Sequence, residues 1–379
     1  MKKLKPIYLD YNATTPVDPD VFRAMRPYFE TYFGNPSSSH QYGKATKEAV
    51  TVARQQVANL LGAEPSEIVF TSGGSESNNH AIIGTALANM KKGNHIITSQ
   101  IEHPAVLKPL KYLEEKFGFK TTYLPVDKYG LVDPSDVEKA ITGKTVLITL
   151  MHANNEVGTI EPIEEIGKIA KEKGITLHSD AAQSCGKIKV RAEEMKVDLL
   201  TVAGHKLYAP KGVGALYIRN GTILDNLIHG ANQEMGRRAG TENVPYIVGL
   251  GKASEIASHS IQRFAHDVGV LRDRLHDKIR EGLGEENVKL NGHPEKRLPN
   301  TLNISIKGAM GEELLRQIPE IAASTGSACH AGSTEPSSVL TAMGLTREQA
   351  LGAIRFSLGR WSTLEDVDQA ARLTVSHAR

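Results

Sequence analysis

From residue 66 to 219 the chain alternates short β-branched runs with longer amphipathic stretches. Seven runs read as strands: EIVF, HIIT, TTYLPV, TVLITL, ITLHSD, LLTVAG and GALYIR. Between them, SESNNHAIIGTALANMKK, HPAVLKPLKYLEEKFG, PSDVEKAITG and IEEIGKIAKEKG have apolar residues at helical spacing, and several stop at glycine. A helix between successive strands is the crossover that parallel pairing requires. The alternation therefore predicts an α/β fold around a large, mostly parallel, seven-stranded sheet with helices on both faces. Residues 245–283 contain few helix breakers and read as one long helix or two joined at a kink. NTLNISI, GEELLRQIP and AIRFSLGRW then suggest a smaller α+β lobe.

At 379 residues the chain exceeds the roughly 250–300 at which a single core stops growing, so two lobes are expected. The division reads as a large domain over 15–255 and a small one built from 1–14 and 256–379. A formal charge of +2 gives no footprint for nucleic acid. No apolar run approaches the ~20 residues that span a bilayer, and the start lacks the apolar core of a secretory signal. Two cysteines, Cys185 and Cys329, make neither a disulfide framework nor a metal-binding pattern. A reducing cytoplasm is the expected location, with no metal, membrane or nucleic-acid partner.

In α/β sheets reactive groups collect at the carboxyl ends of strands. After EIVF comes TSGGSES, leading into a helix. Its glycines let backbone approach a ligand, and a helix start offers unpaired N–H groups to an anion; equally, Ser75 could be a plain N-cap. After ITLHSD, Asp180 sits among apolar neighbours, where a carboxylate serves a protonated ring nitrogen or caps a helix. After LLTVAG, Lys206 lies between Gly204 and Tyr208 with another apolar strand following. A desolvated lysine there has a lowered pKa and acts as a Schiff-base amine or a base. His103 precedes Pro104 at a helix start. In MHANNEVGTIEP two adjacent asparagines end a strand, one able to face a ligand while the other holds the turn. Anion cradle, acidic ring partner, buried amine and imidazole together are the requirements of pyridoxal phosphate.

Cys329 stands apart. It lies in TGSACHAGSTEPSS, among residues too small to pack, in a loop at about 324–336. A structural thiol sits among larger apolar residues; Cys185, beside a strand end, reads as one.

The motifs YLDYNATTP, FGNPSSSH, FTSGGSESNN, EHPAV, HSDAAQ, GHKLYAPKGVGALYIR, RRAGTEN, GSAC and IRFSLGRW, in this order, resemble the NifS/IscS-like cysteine desulfurases. These belong to the class V aminotransferase group of pyridoxal-phosphate enzymes, with the fold type I architecture of the PLP-dependent transferases. The resemblance implies that Lys206 forms the internal aldimine, that Asp180 pairs with the pyridinium nitrogen, and that His103 stacks on the ring and handles protons. Gln183 and Asn155 would hold the phenolic oxygen and neighbouring substrate groups. Gly74, Ser75 and His205 would hold the phosphate, with Thr241 contributed by the partner subunit of a homodimer. Arg355 would grip the substrate carboxylate, with Asn12 beside it. Cys329 would be the nucleophile that takes sulfur from L-cysteine as a persulfide, leaves L-alanine, and passes the sulfur to an acceptor protein, as in iron–sulfur cluster assembly. Such a thiol must reach inward and deliver outward, which suits a weakly packed loop.

Two departures carry weight. Where many desulfurases have a serine two residues before the His-Lys pair, this chain has Ala203, so that phosphate contact is lost or replaced by Thr201 or a water. VAGHKLYAPKG, RRAGTEN and ACH also resemble the selenocysteine lyases, which makes selenium release from L-selenocysteine the alternative activity. His330 next to the nucleophile lowers its pKa or is a plain loop residue. The chain ends about 50 residues beyond Cys329, short for docking an iron–sulfur scaffold protein.

Overall fold

The computed structural model describes residues 6–325 and 335–378; Cys329 and His330 lie outside them. The first strand, β1 (Ile7–Tyr8), is followed by the seven that build the large sheet. These are β2 (Ile68–Thr71), β3 (His95–Ser99), β4 (Lys120–Leu124), β5 (Thr145–Met151), β6 (Thr176–Asp180), β7 (Leu199–Ala203) and β8 (Gly214–Ile218). Their spatial order is β2-β8-β7-β6-β5-β3-β4. Neighbours run parallel from β4 across to β7, and β8 alone is reversed, pairing antiparallel with both β7 and β2. All seven sequence-predicted strands are present, and the sheet is mostly parallel as expected. Strands β2, β3, β7 and β8 are buried along their whole length, which is why they read as continuous apolar runs.

The second sheet holds β9 (Val288–Asn291), β10 (Thr301–Ile306) and β12 (Ala353–Ser357), all antiparallel, with β10 in the middle. Strand β11 (Ile321–Ala322) pairs with β1 in a separate two-stranded sheet, and isolated bridges at Asp10–Ser357 and Ser324–Arg355 join it to β12. The stretch from residue 244 onward forms one 40-residue helix, Val244–Leu283. At 1.5 Å per residue it is about 60 Å long. Its first half (Val244, Ile247, Leu250, Ala253) joins the core beneath the large sheet, and its second half (Phe264, Val268, Leu275, Ile279) joins the core of the small one. A single rigid element thus links both cores.

A 21-residue helix, Gln41–Leu61, has no counterpart in the sequence reading. Its buried face mixes small residues (Gly43, Thr46, Ala49, Ala53, Ala58) with Val50, Val57, Leu60 and Leu61, so the stripe of large residues that marks an amphipathic helix is thin over its first half. It packs on the long helix where Gly251 lies against Ala53: a Cβ at Gly251 would stand 2.6 Å from the Ala53 Cα. The glycine permits the close crossing.

Candidate active site

The carboxyl ends of the parallel strands open into a cavity of about 710 Å³. Asn12, Gly74, Ser75, His103, Asn155, Asp180, Gln183, His205, Lys206 and Arg355 all line it. Thr241 does not: it is exposed, away from the wall. Segments scattered over more than 340 residues of chain therefore converge on one space.

Lys206 lies in a 3₁₀ turn, Gly204–Lys206, directly after β7. The N-terminal segment braces that turn: Thr15 N–H and its hydroxyl donate to the His205 carbonyl, and Asp18 N–H donates to the Tyr208 carbonyl. Tyr208 adopts φ +63°, unusual for a bulky residue. It is held there by Thr15 Oγ1 at its N–H, by Arg360 N–H at its hydroxyl, and by the Arg360 guanidinium 4.2 Å over its ring. The Lys206 amine donates to the Asn12 carbonyl. Burial, reinforced by the Arg355 charge and opposed by Asp180 and Asp10, brings its pKa down to about 8. The amine is drier than a surface lysine, as its sequence context implied.

Asp180 ends β6 with both oxygens engaged, Oδ2 accepting from Asn78 Nδ2 at 2.7 Å and Oδ1 from Ala182 N–H at 2.9 Å. The second contact closes a turn, and no helix follows for the carboxylate to cap. Asn78, absent from the sequence reading, fixes the carboxylate from the neighbouring helix. His103 caps helix Pro104–Phe117, its Nδ1 accepting from Ala105 N–H at 3.0 Å. Partial desolvation lowers its pKa, and Lys206 works the same way against Asp180. With Nδ1 used as an acceptor, the proton of the neutral ring sits on Nε2.

The helix after β2 begins at Gly74, with Gly73 as its N-cap and no side-chain capping bond. The reading of Ser75 as N-cap is thereby corrected: Ser75 lies inside the first turn, because Gly73 at φ +149° takes a conformation open only to glycine. The first intrahelical bond runs from Ser77 N–H to the Gly73 carbonyl, which by helix geometry leaves the N–H groups of Gly74, Ser75 and Glu76 to a ligand. A Cβ on Gly74 would come 3.1 Å from the Ala203 Cβ, so the cradle is shaped by having no side chain there. His205 Nδ1 contacts Thr14 Oγ1 at 3.2 Å, and burial with the Lys206 and Lys211 charges lowers its pKa to about 4. It enters the site as a neutral ring. Thr201 does not replace the missing serine, because its hydroxyl is fully buried against His178 Nε2 at 3.1 Å. Thr14 and Lys211, neither flagged by the sequence, line the cavity instead.

The asparagine pair divides its work. Asn154 Oδ1 accepts from Glu156 and Val157 N–H at 2.8 and 3.0 Å, holding the turn. Among the described residues the Asn155 side-chain amide has no partner, and it lines the cavity. Arg355, 2% exposed on β12, donates to Asp10 Oδ1 at 2.7 Å and to the Asn155 carbonyl at 3.0 Å. A substrate carboxylate would share or displace the Asp10 contact. Asn12 differs from expectation. Its amide donates to the Asn155 carbonyl and Thr301 Oγ1, and its Oδ1 accepts from Lys187 and Asn300. Every side-chain donor and acceptor is thereby used, so Asn12 is a brace of the wall, with nothing left for a substrate. Cys185 is buried in the large core, where desolvation raises its thiol pKa, as a packing residue requires.

Glu102 is a further residue the sequence did not expose. It is 4% exposed in the cavity wall, with Oε1 accepting from Ser99 Oγ and Met151 N–H and Oε2 without a partner among the described residues. Burial pushes its pKa up to about 8 against those two donors, with Asp180 adding to the rise. The folded state thus holds a proton that the unfolded chain releases near pH 4.5. The stabilisation this gives is full below that pH and is lost as pH climbs through about 8. Glu102→Gln, neutral at all pH, is expected to flatten the fall, and denaturant midpoints at pH 5, 7 and 9 check it. The difference between the two proteins should grow with pH to a few kcal/mol.

Residues 7–370 match the family model described as Aminotransferase class-V. A cysteine desulfurase of Methanosarcina thermophila is 52% identical over 96% of this chain and 90% of its own. A solved structure named as a NifS-like protein superposes with a TM-score of 0.90 at 39% identity, covering 98% of both chains. Another, described as SspA in complex with cysteine, has a TM-score of 0.81 at 41% identity, covering 94% of this chain and 99% of that one. Over nearly its whole length, then, the chain belongs to the class-V aminotransferase family, among the NifS/IscS-like cysteine desulfurases.

Proposed function

We propose that this protein binds pyridoxal 5'-phosphate in the 710 Å³ cavity and converts L-cysteine to L-alanine, leaving the sulfur on Cys329 for transfer to an acceptor protein. The observation that carries the reading is the desolvated amine of Lys206, which lines the cavity together with the helix start at Gly74 and with Asp180. The donor set fits that cofactor. The Gly74–Glu76 turn, with Ser75, His205 and Thr14, suits the phosphate; Asp180, held by Asn78, suits a protonated ring nitrogen; the unpartnered Asn155 amide and Gln183 suit the ring's oxygen. Bound there, the cofactor supplies an electron sink for the substrate α-carbon.

This chain's own groups do the rest. Arg355 holds the substrate carboxylate through a two-pronged contact. Lys206, with its pKa near 8, accepts the α-proton at neutral pH. His103, which lines the cavity with its Nδ1 already engaged, moves a second proton. The Cys329 thiolate attacks the substrate sulfur, the electron pair of the broken C–S bond stays on the substrate carbon, and that carbon takes up a proton to become the methyl of alanine. A thiol carrier of this kind works in a reducing compartment, which supports a cytoplasmic location. No helix among the described residues is long and apolar enough to cross a membrane.

Thr241 completes the phosphate site only if a second copy supplies it. Consistent with a homodimer, Phe22, Phe29, Tyr32, Phe33 and Tyr42 are all more than 40% exposed on the N-terminal segments, a density of apolar surface that marks an association face.

Selenocysteine is the competing substrate, favoured by Ala203 and the motifs around it. Cys329→Ala separates the two. It is expected to lower alanine formation from cysteine by at least about 10³-fold, while sparing most selenium release from selenocysteine, whose selenol leaves with less help. Undiminished cysteine turnover in this variant would remove the proposed persulfide carrier.

A further inference from the structure

Behind the cavity wall lies a second buried lysine. Lys187 is 3% exposed, and its amine donates to Gln183 Oε1 at 2.8 Å and to Asn12 Oδ1 at 2.9 Å. Among the described residues no carboxylate pairs with it. Burial, with the Lys206 and Arg355 charges adding, holds its pKa well below the ordinary lysine value. A neutral amine has two N–H donors, and two donated bonds are found.

The amide of Gln183 has two ends, and the network admits only one orientation. Its Nε2 donates to the Asn12 carbonyl at 3.0 Å, the same carbonyl that accepts from the Lys206 amine. Turned over, Gln183 would set Oε1 against that carbonyl, two acceptors facing, and would leave the Lys187 N–H without its acceptor. Burying an amine is costly unless its hydrogen bonds are needed. Here they commit the oxygens of two cavity-wall amides at once.

We propose that Lys187 is a positioning residue for the reaction: by capturing Gln183 Oε1 it makes Gln183 present an N–H, and not a carbonyl, to the cavity. The proposal rests on the reading that pyridoxal 5'-phosphate binds there, because a donor at this place stabilises an ionised ring oxygen and a carbonyl repels it. Lys187 does not line the cavity. Its effect passes through Gln183, with Asn12 as the shared brace.

The experiment uses the holoenzyme and reads the pH midpoint of the bound cofactor's visible band, together with the Kd for pyridoxal phosphate of the cofactor-stripped protein. The other charged or titratable groups around Lys187, Gln183 and the amine of Lys206 stay in place: Asp180, His103 and His205 on the large-sheet side, and Asp10 and Arg355 on the small-sheet side. Lys187→Met keeps the side-chain length without the donors. It is expected to raise the midpoint by about one pH unit and weaken the Kd by about tenfold. Gln183→Leu should do the same, and the double variant should do no more than Gln183→Leu alone. An unchanged midpoint in Lys187→Met, or a shift that adds fully to that of Gln183→Leu, overturns the proposal, since a merely structural lysine would lower stability without moving the band. If Lys187→Met does not fold, Lys187→Gln, which keeps a shorter, uncharged N–H donor group, is measured. A smaller shift of the same sign supports the proposal and no shift overturns it. Failure of the wild-type protein to take up the cofactor with a visible band would instead refute the functional reading itself.

Discussion

Lys206→Ala is expected to abolish the visible band of the cofactor-loaded protein and to cut alanine formation by at least about 10³-fold. The size follows from the state of the amine. With a pKa of about 8, roughly a quarter of it is unprotonated at pH 7.5, against about 0.1% for an ordinary lysine. Depressing the pKa of a cation has a definite sign: the fold disfavours the charged form, so the reactive free amine gains at neutral pH. Uptake of pyridoxal phosphate by the stripped wild-type protein should therefore accelerate through pH 8 and level off above about pH 9. A rate still climbing at pH 10 would return Lys206 to the behaviour of a solvated side chain and take the proposed chemistry with it.

Arg54→Met is expected to cost about 3–5 kcal/mol of stability, read as a lowered urea midpoint at unchanged slope. Arg54 grips Glu234 through both terminal nitrogens, at 2.6 and 2.7 Å, and Glu234 also accepts from Phe70 N–H at 2.8 Å. The Glu234 side chain is only 3% exposed, so removing the guanidinium strands a buried charge. Glu234 and Met235 adopt φ +49° and +57°, a left-handed pair that this contact restrains. Replacing both partners by methionine should lose less than Arg54→Met alone, because no charge is then left behind. The consequence reaches the active site. The strained pair begins the segment that carries Thr241, and Arg238 in that segment binds Glu76 at 2.9 Å beside the anion cradle. Loosening it should weaken cofactor retention.

These two residues differ in how far the sequence exposes them. Lys206 follows a run that can only be a buried strand and precedes another, so its dryness is written in its immediate neighbours. Asp180, Asn155 and the glycines after β2 are legible for the same reason, each standing just past the end of an apolar run. Arg54 sits mid-helix and looks like any solvated arginine, its partner 180 residues away. The helix that carries it was itself unmarked, because small residues make up much of its buried face.

What the sequence determined alone was the order of elements from β2 to β8, the parallel sheet and the groups at the ends of its strands, since strand ends and helix starts are local properties of the chain. The tertiary structure decided which polar groups inside that edge remain available. Asn12 is spent as a brace, Thr201 is sealed against His178, Glu102 keeps its proton, and Lys187 is dry, although each reads in isolation as an ordinary polar residue. Their states depend on desolvation and on hydrogen-bond partners up to 289 positions distant, and no local pattern records a partner that only folding brings near.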